Sequence, residues 1–397
     1  MHIQVISFCH THLFVQGAVS LMFKEPSFTI GVEEEYWLVH QDSGDLIEKQ
    51  PADLMDAMTK VMGEQVTKEF HGSQIEIGTR VCHSSQDVRQ ELVRLRSQIS
   101  AIAAQYELAI IAASTHPTAE WDKQMHSEGE HYQSLVQDFR QVILRLLICG
   151  MHVHIGVEDK DLRIELINQM NYFLPHLLAL STSSPFWRGK NMGLKSYRLS
   201  LFDNLPRSGP PEVFSSYAEY ERIIEVLLSS GAIDNPAKIW WDIRPSTKWP
   251  TMEMRITDIC TSIDDAVCIA SLTRCIARSL YRLRCQNQSW RKYPQILLKQ
   301  NRWMAQRAGI SDGLIDFGQG VIKPFASLAD ELIEFVRDDM EYFDCCNDIE
   351  HIHTILQRGT SADRQNDVYN QAMQENKSHE EALAEVKQFL QRESVKI

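Results

Sequence analysis

The stretch Phe28-Thr-Ile-Gly-Val-Glu-Glu-Glu-Tyr-Trp-Leu-Val39 decides the fold. In an extended chain successive side chains point to opposite sides. Phe28, Ile30, Val32, Tyr36 and Leu38 therefore share one face with Glu34 between them, and Thr29, Gly31, Glu33, Glu35, Trp37 and Val39 share the other. Gln41-Asp-Ser-Gly-Asp45 then turns the chain. Working outward, three further stretches repeat the pattern. Residues 74–79 set Gln74, Glu76 and Gly78 against Ile75 and Ile77; residues 148–157 set Gly150, His152, His154 and Gly156 against Cys149, Met151, Val153, Ile155 and Val157. Residues 250–258 set Thr251, Glu253, Arg255 and Thr257 against Met252, Met254 and Ile256. Strands that each add an acid or a histidine to one face do not make a packed core there, because unpaired charge is too costly to bury. The pattern predicts a sheet with an apolar back and a polar funnel in front.

Helical spacing fills the intervals. Ser84 with Asp87 three residues on resembles a capping box, and Val88, Leu92, Leu95, Ile99 and Ile102 follow on one stripe that would cover the sheet. Residues 159–180, 216–230, 263–283 and 327–342 read as helices, and 378–391 as a charged, exposed final helix. The polar segment 181–212, punctuated by prolines and glycines, is the candidate lid or substrate loop.

At 397 residues with 44% hydrophobic and 23% charged side chains, the chain can bury a sizeable core. Its 40 Lys+Arg against 53 Asp+Glu leave a net charge of −13, which opposes binding to nucleic acid or anionic lipid. No run approaches the ~20 uncharged apolar residues of a membrane helix. Nine cysteines, an odd number with Cys345 and Cys346 adjacent and no CxxC, fit neither a disulfide framework nor a structural zinc site, and predict a cytoplasmic protein. Residues 1–25 are expected to be a mobile N-terminal extension, with Met22 a candidate natural start. No repeat or linker divides the remainder, and neither a Walker A loop nor a strand-linked GxGxxG is present.

Glu33 and Glu35 would repel one another unless cations lay between them. His152 and His154 form an HxH on one strand face, flanked by Gly150 and Gly156, which leave room for a ligand. Carboxylates outnumber imidazoles, which favours Mg²⁺ or Mn²⁺ over Zn²⁺, and Mg²⁺ held this way commonly carries a nucleotide's phosphates. The sheet is thus a candidate ATP site. Arg255, Arg198 and Arg244 offer rigid forked donors for a carboxylate or a migrating phosphoryl group.

Gly31-Val-Glu-Glu-Glu-Tyr, Ser73-Gln-Ile-Glu-Ile, Cys149-Gly-Met-His-Val-His-Ile-Gly, Ser184-Pro-Phe-Trp-Arg-Gly, Trp241-Asp-Ile-Arg-Pro, Thr251-Met-Glu-Met-Arg and Gly359-Thr-Ser-Ala-Asp-Arg-Gln occur in this order. Together they resemble the YbdK-type carboxylate–amine ligases, also called type 2 glutamate–cysteine ligases. The resemblance implies an α+β, glutamine-synthetase-like fold, in which a curved, largely antiparallel sheet forms an ATP and metal funnel covered by helices. Residues 26–397 would form one ligase catalytic domain. It implies Glu33, Glu69 and Glu76 around one metal and Glu35, His152 and Glu253 around another. Glu69, seven residues from Glu76, would share that face only if Gly72 marks a bulge. Arg255 would touch the transferred phosphate beside Glu253; Arg198, Arg244 and Arg364 would hold the nucleotide; His154, Arg188 and Trp241 would face substrate. A homodimer is also implied.

The implied reaction moves the γ-phosphoryl of ATP onto a carboxylate, nominally the side chain of glutamate. An amine, nominally cysteine, then attacks the acyl phosphate to give an amide. The residues also admit two other readings: a metal-dependent hydrolase using the HxH with Glu253, in which Glu33 or Glu35 activates water, and a non-catalytic ligand-binding descendant.

Overall fold

Alternation along residues 28–39 becomes the central strand of the sheet in the computed structural model, which describes residues 24–127 and 129–396. The expected N-terminal extension lies outside the described residues apart from Lys24 and Glu25. The strands are β1 (Ile30–His40), β2 (Val66–Lys68), β3 (Gln74–Gly78), β4 (Leu108–Ile111), β5 (Met151–Gly156), β6 (Ile243–Pro245) and β7 (Thr251–Met254). They form one seven-stranded sheet in the order β6-β7-β5-β1-β3-β2, with β4 paired to the end of β1. Every pairing in it is antiparallel. The short β2, β4 and β6 lack an alternation long enough to be read from sequence.

On the back of the sheet Val32, Tyr36, Ile75, Ile77, Met151, Val153, Ile155, Met252 and Met254 are all buried. Each removes roughly 1.5–3 kcal/mol of apolar surface from water. Helices α1 (Ser85–Ala104), carrying Val88, Leu92, Leu95 and Ile99, and α2 (Ile263–Cys285) pack against that face. The Ser84 capping box forms as expected, its hydroxyl accepting from Asp87 N at 3.1 Å while Asp87 accepts from Ser84 N at 3.0 Å.

Glu34 lies among these apolar side chains and is completely buried. Arg96 of α1 grips it through Nη2 at 2.6 Å and Nε at 3.0 Å. The remaining guanidinium donors reach the carbonyls of Cys260, Thr261 and Ser394 at 2.8, 2.7 and 3.2 Å. Tyr36 donates its hydroxyl to the same carboxylate. A charge on the apolar face is tolerated because every polar atom of the pair is satisfied.

Two helix readings need correction. Residues 159–180 are two helices, Lys160–Met170 and Leu174–Ser181, because Pro175 cannot continue the first and instead opens the second. The final helix, His379–Ser394, is not simply exposed: it buries Leu383, Val386 and Leu390. Segment 181–212, the candidate lid or substrate loop, is anchored at Asp258, whose carboxylate accepts from Ser183 N, Ser184 Oγ and Ser196 Oγ at 2.9, 2.7 and 2.8 Å, and it brings Arg198, Phe202 and Leu205 to the cavity in front of the sheet.

Candidate active site

The front of the sheet is assembled by register. Pairing sets Glu33 opposite His152, Glu35 opposite Glu76, and Glu253 opposite His154. Glu69 joins them through a hairpin. Because β2 runs antiparallel to β3 with Thr67 opposite Glu76, Glu69, two residues past Thr67, continues on that face from the neighbouring chain segment, and no bulge within a single strand is needed.

Neighbouring groups are close. Glu33 Oε2 lies 3.2 Å from His152 Nδ1, Glu33 Oε1 lies 3.4 Å from His154 Nε2, and Glu35 accepts from Gly150 N at 2.8 Å. His154 Nδ1 is 2.9 Å from Thr251 Oγ1, and Thr67 Oγ1 donates to Glu76 at 3.1 Å. Glu253 sits between two guanidinium groups: Arg244 binds it through Nε and Nη2, each at 3.0 Å, and Arg255 through Nη1. Arg244 spends Nη1 on the carbonyls of Ala237 and Ile239, at 2.9 and 2.7 Å.

The charges are unbalanced in an instructive way. Burial pushes the Glu33 carboxyl up, but His152 and His154 outweigh it and hold it below the usual carboxylate range. Burial likewise raises Glu253, and Arg255 and Arg244 reverse the effect. At Glu69 and Glu76 burial and the neighbouring acids win instead. Burial and then Glu35 push Glu69 up to about 7, while burial and then Glu69 raise Glu76 well above its ordinary value. Burial and then Arg255 lower His152, which keeps its ring neutral and able to ligate.

Three groups each bring ligand atoms within 4.8 Å of one another: Glu33, Glu76 and His152; Glu33, His154 and Glu253; Glu35, Glu69 and Glu76. Carboxylates that protonate for want of positive charge, in a donor set of oxygens with one imidazole at most per group, fit a hard divalent cation. The grouping differs from the expected one, since His154 joins a ligand trio and Glu76 is shared by two.

Glu33, Glu35, Glu69, Glu76, His152, His154, Glu253, Arg255, Arg244 and Arg198 all line one cavity of about 400 Å³. Arg198 lies flat against Gly150, where a Cβ would meet its Nη2 at 2.5 Å, and donates to the carbonyls of Arg255 and Ile256 at 3.1 and 3.2 Å. Arg188, Trp241 and Arg364 are not brought to this cavity. Arg188 is exposed in a tight turn at φ 49°. Trp241 packs with Phe214 and Tyr220 at 5.7 and 6.2 Å in a satellite cluster. Arg364 pairs with Glu393 at 2.7 Å and lies 4.7 Å over the ring of Phe389.

Comparison with known proteins places this geometry. The family model "Glutamate-cysteine ligase family 2(GCS2)" matches residues 29–387. The chain belongs to this family of ligases. A protein of Rhodospirillum rubrum named "Putative glutamate--cysteine ligase 2" is 51% identical over 91% of this chain and 94% of its own length. One of the same name from a Jannaschia species is 44% identical over 93% of this chain and 97% of its own. Among solved structures, a glutamate–cysteine ligase from Francisella tularensis in complex with AMP superposes with a TM-score of 0.65 at 14% identity, covering 94% of this chain and 90% of that one. A bifunctional glutathione synthetase from Pasteurella multocida gives 0.63 at 14% identity, over 92% of this chain and 52% of that one. At that identity the likeness is one of fold, and it agrees with the α+β antiparallel funnel.

The ligase cavity also contains residues that the sequence reading passed over: Tyr132, Lys238, Trp240, Lys248 and Trp249. Lys248 lies 4.7 Å over the Trp249 ring in the turn between β6 and β7. The adjacent Lys-Trp was the available signal, hidden because β6 is only three residues long. Tyr132 and Lys238 arrive from segments distant in sequence, and nothing local marks them.

The family motifs that do not reach the cavity hold the scaffold. Asp242, beside Trp241, binds Arg302 Nε at 2.7 Å. In the last motif Thr360 and Asp363 form a capping box, and Gln365 Nε2 donates to Ser183 O at 2.9 Å.

Proposed function

We propose that residues 26–397 act as one catalytic domain of an ATP-dependent carboxylate–amine ligase. It would join the side-chain carboxylate of glutamate to an amine, cysteine or a relative of it, through an acyl phosphate. One observation carries the reading: five carboxylates, two imidazoles and three guanidinium groups converge on one face of the sheet in a single cavity, with Glu69 and Glu76 left short of positive charge.

In this reading Glu33, Glu76 and His152 hold one divalent cation, Glu35, Glu69 and Glu76 another, and the His154–Glu253 side of Glu33 offers further ligands. Bound Mg²⁺ or Mn²⁺ supplies charge neutralisation for the triphosphate. Glu253 orients Arg255, one of whose arms it holds, while the buried Arg255 Nε has no hydrogen-bond partner among the described residues. Arg255 is thereby poised to donate to the phosphoryl group in transfer. Arg198, whose buried Nε also lacks a partner among the described residues, contributes positive charge beside it. The amine then displaces phosphate from the acyl carbon, and burial of the floor limits competing attack by water.

The hydrolase reading gains nothing from the geometry, since no ligand trio among the described residues contains both histidines. The deciding experiment follows ADP release from purified protein with MgATP, glutamate and a panel of amines, with and without EDTA. ADP formation that requires the acid and is abolished by EDTA supports the ligase; metal-dependent turnover that ignores ATP overturns it.

A further inference from the structure

We infer that Arg302 is a positioning residue, which ties together the two chain segments carrying Arg198 and Arg255 and so fixes both guanidinium groups at the terminal phosphate of bound ATP; the inference rests on the ligase reading. Those two arginines stand 57 residues apart in sequence. Arg198 belongs to a helix of six residues, Tyr197–Phe202, too short to hold its own direction. Arg255 follows the last residue of β7. Each keeps a buried Nε without a hydrogen-bond partner among the described residues, so each has a donor left for a ligand.

Arg302 joins the two segments. It lies on helix Gln295–Ala308, is buried, and does not line the reaction cavity. Its Nη1 and Nη2 donate to the two carboxylate oxygens of Asp203 at 2.7 and 2.8 Å, and Asp203 is the residue that ends the helix of Arg198. Its Nε and Nη2 donate to Asp242 at 2.7 and 3.2 Å. The carbonyl of Asp242 in turn accepts from Arg255 N at 2.8 Å and Ile256 N at 3.1 Å. Arg198 closes the circle by donating to the carbonyls of the same two residues.

A planar fork can hold two carboxylates in fixed directions, whereas an ammonium is a single point of charge. Gln306, one turn further along the helix of Arg302, also grips the short helix: its carbonyl accepts from Ser196 N at 3.0 Å, and its Nε2 donates to Ser200 Oγ at 2.6 Å. A change at Arg302 therefore costs the aim of Arg198 and Arg255 before it costs the fold. An error of about 1 Å in the placing of such groups lowers a rate by roughly a hundredfold.

The test compares Arg302→Lys and Asp203→Asn with the wild type by titration calorimetry in Mg²⁺, using ADP and adenylyl imidodiphosphate, a triphosphate analogue that is not hydrolysed. The wild type should bind the triphosphate more tightly. In Arg302→Lys that preference should fall at least about fivefold with ADP affinity kept, and kcat for ADP release with MgATP, glutamate and cysteine should fall at least about tenfold. Asp203→Asn, at an exposed site, should move both in the same direction by less, and it decides the matter if Arg302→Lys does not fold. In a background carrying both Arg198→Lys and Arg255→Lys, Arg302→Lys should leave the preference unmoved, because its effect passes through those two side chains. Equal weakening of both nucleotides, a full effect persisting in that background, or no triphosphate preference in the wild type overturns the inference. A wild type with that preference but no ADP release on glutamate and amines removes the ligase reading, and the affinity ratio alone then decides the tie.

Discussion

Glu33, Glu34 and Glu35 are adjacent in sequence and unlike in every physical respect. Parity divides them: Glu33 and Glu35 face the cavity, and Glu34 faces Arg96. Glu33→Gln or Glu35→Gln removes charge from the proposed cation site and should lower turnover roughly a hundredfold while the fold persists. Sequence parity alone would make Glu34→Gln mild. The structure reverses that expectation, because the substitution leaves Arg96 buried without its counter-charge, at a cost of about 3–5 kcal/mol. Urea denaturation of the three variants, beside their ADP release, checks the division; an unchanged midpoint for Glu34→Gln would contradict the buried pair. Cys149, buried and accepting from Gln74 Nε2 at 3.3 Å, has a thiol that burial and then Glu35 raise well above its usual value. Cys149→Ala should therefore stay competent for turnover, and loss of activity in the folded variant would contradict this.

Elements align these residues by close backbone approach. Gly150 precedes β5 and lets Arg198 lie flat where any Cβ would intrude. Gly150→Ala should displace the guanidinium and raise KM for ATP several-fold with the fold retained, a split that steady-state kinetics and circular dichroism together would show. The C-terminal helix matters in another way. Ser394 O accepts from Arg96, and Ser394 Oγ accepts from Ala112 N at 2.8 Å, so the last helix, despite its charged sequence, closes the back of the sheet. Leu390→Ala, in a fully buried site, should cost about 2–5 kcal/mol in denaturant unfolding. A surface helix would lose almost nothing.

Across the whole molecule, proton binding opposes folding at some sites and favours it at others. Burial holds His116 and His176 down at about 4 and His71 at about 3. His116 shows why: Nδ1 accepts from Ala119 N at 3.1 Å while Nε2 contacts Gly44 O at 2.8 Å, which assigns the proton to Nε2 and leaves no place for a second. Below about 6.5 the unfolded chain takes up protons these rings refuse. Stability present above that pH is thus lost as pH falls, by up to about 1.4 kcal/mol per unit and group. NMR titration should find these imidazoles neutral down to pH 5; midpoints near the ordinary histidine value would refute the assignment. Glu69 and Glu76 act with the opposite sign, since their raised values favour the folded state at low pH and are lost as pH rises through about 7 for Glu69. Mg²⁺ or Mn²⁺ competes with those protons and should raise the melting temperature more at pH 8 than at pH 6, the gain reaching about 2.7 kcal/mol at a hundredfold excess over Kd. Equal stabilisation at both values would place the cation elsewhere.

Local chemistry made the front and back of the sheet legible. Period-two alternation over β1, β3, β5 and β7 depends only on neighbouring residues, and so do the Ser84 cap and the motifs that carry the family resemblance. Distance in sequence hid the rest. Which acids share a cation is decided by strand register, so Glu69 reaches the front through a hairpin and His154 meets Glu33 from the next strand. Whether an arginine faces the cavity or a scaffold carboxylate is decided by what packs beside it. For that reason Arg255 and Arg198 line the site while Arg364 closes on Glu393 and Arg188 points to solvent. A sequence determines which side of its own strand a residue occupies; the neighbours that set its charge, solvation and role come only from the tertiary fold.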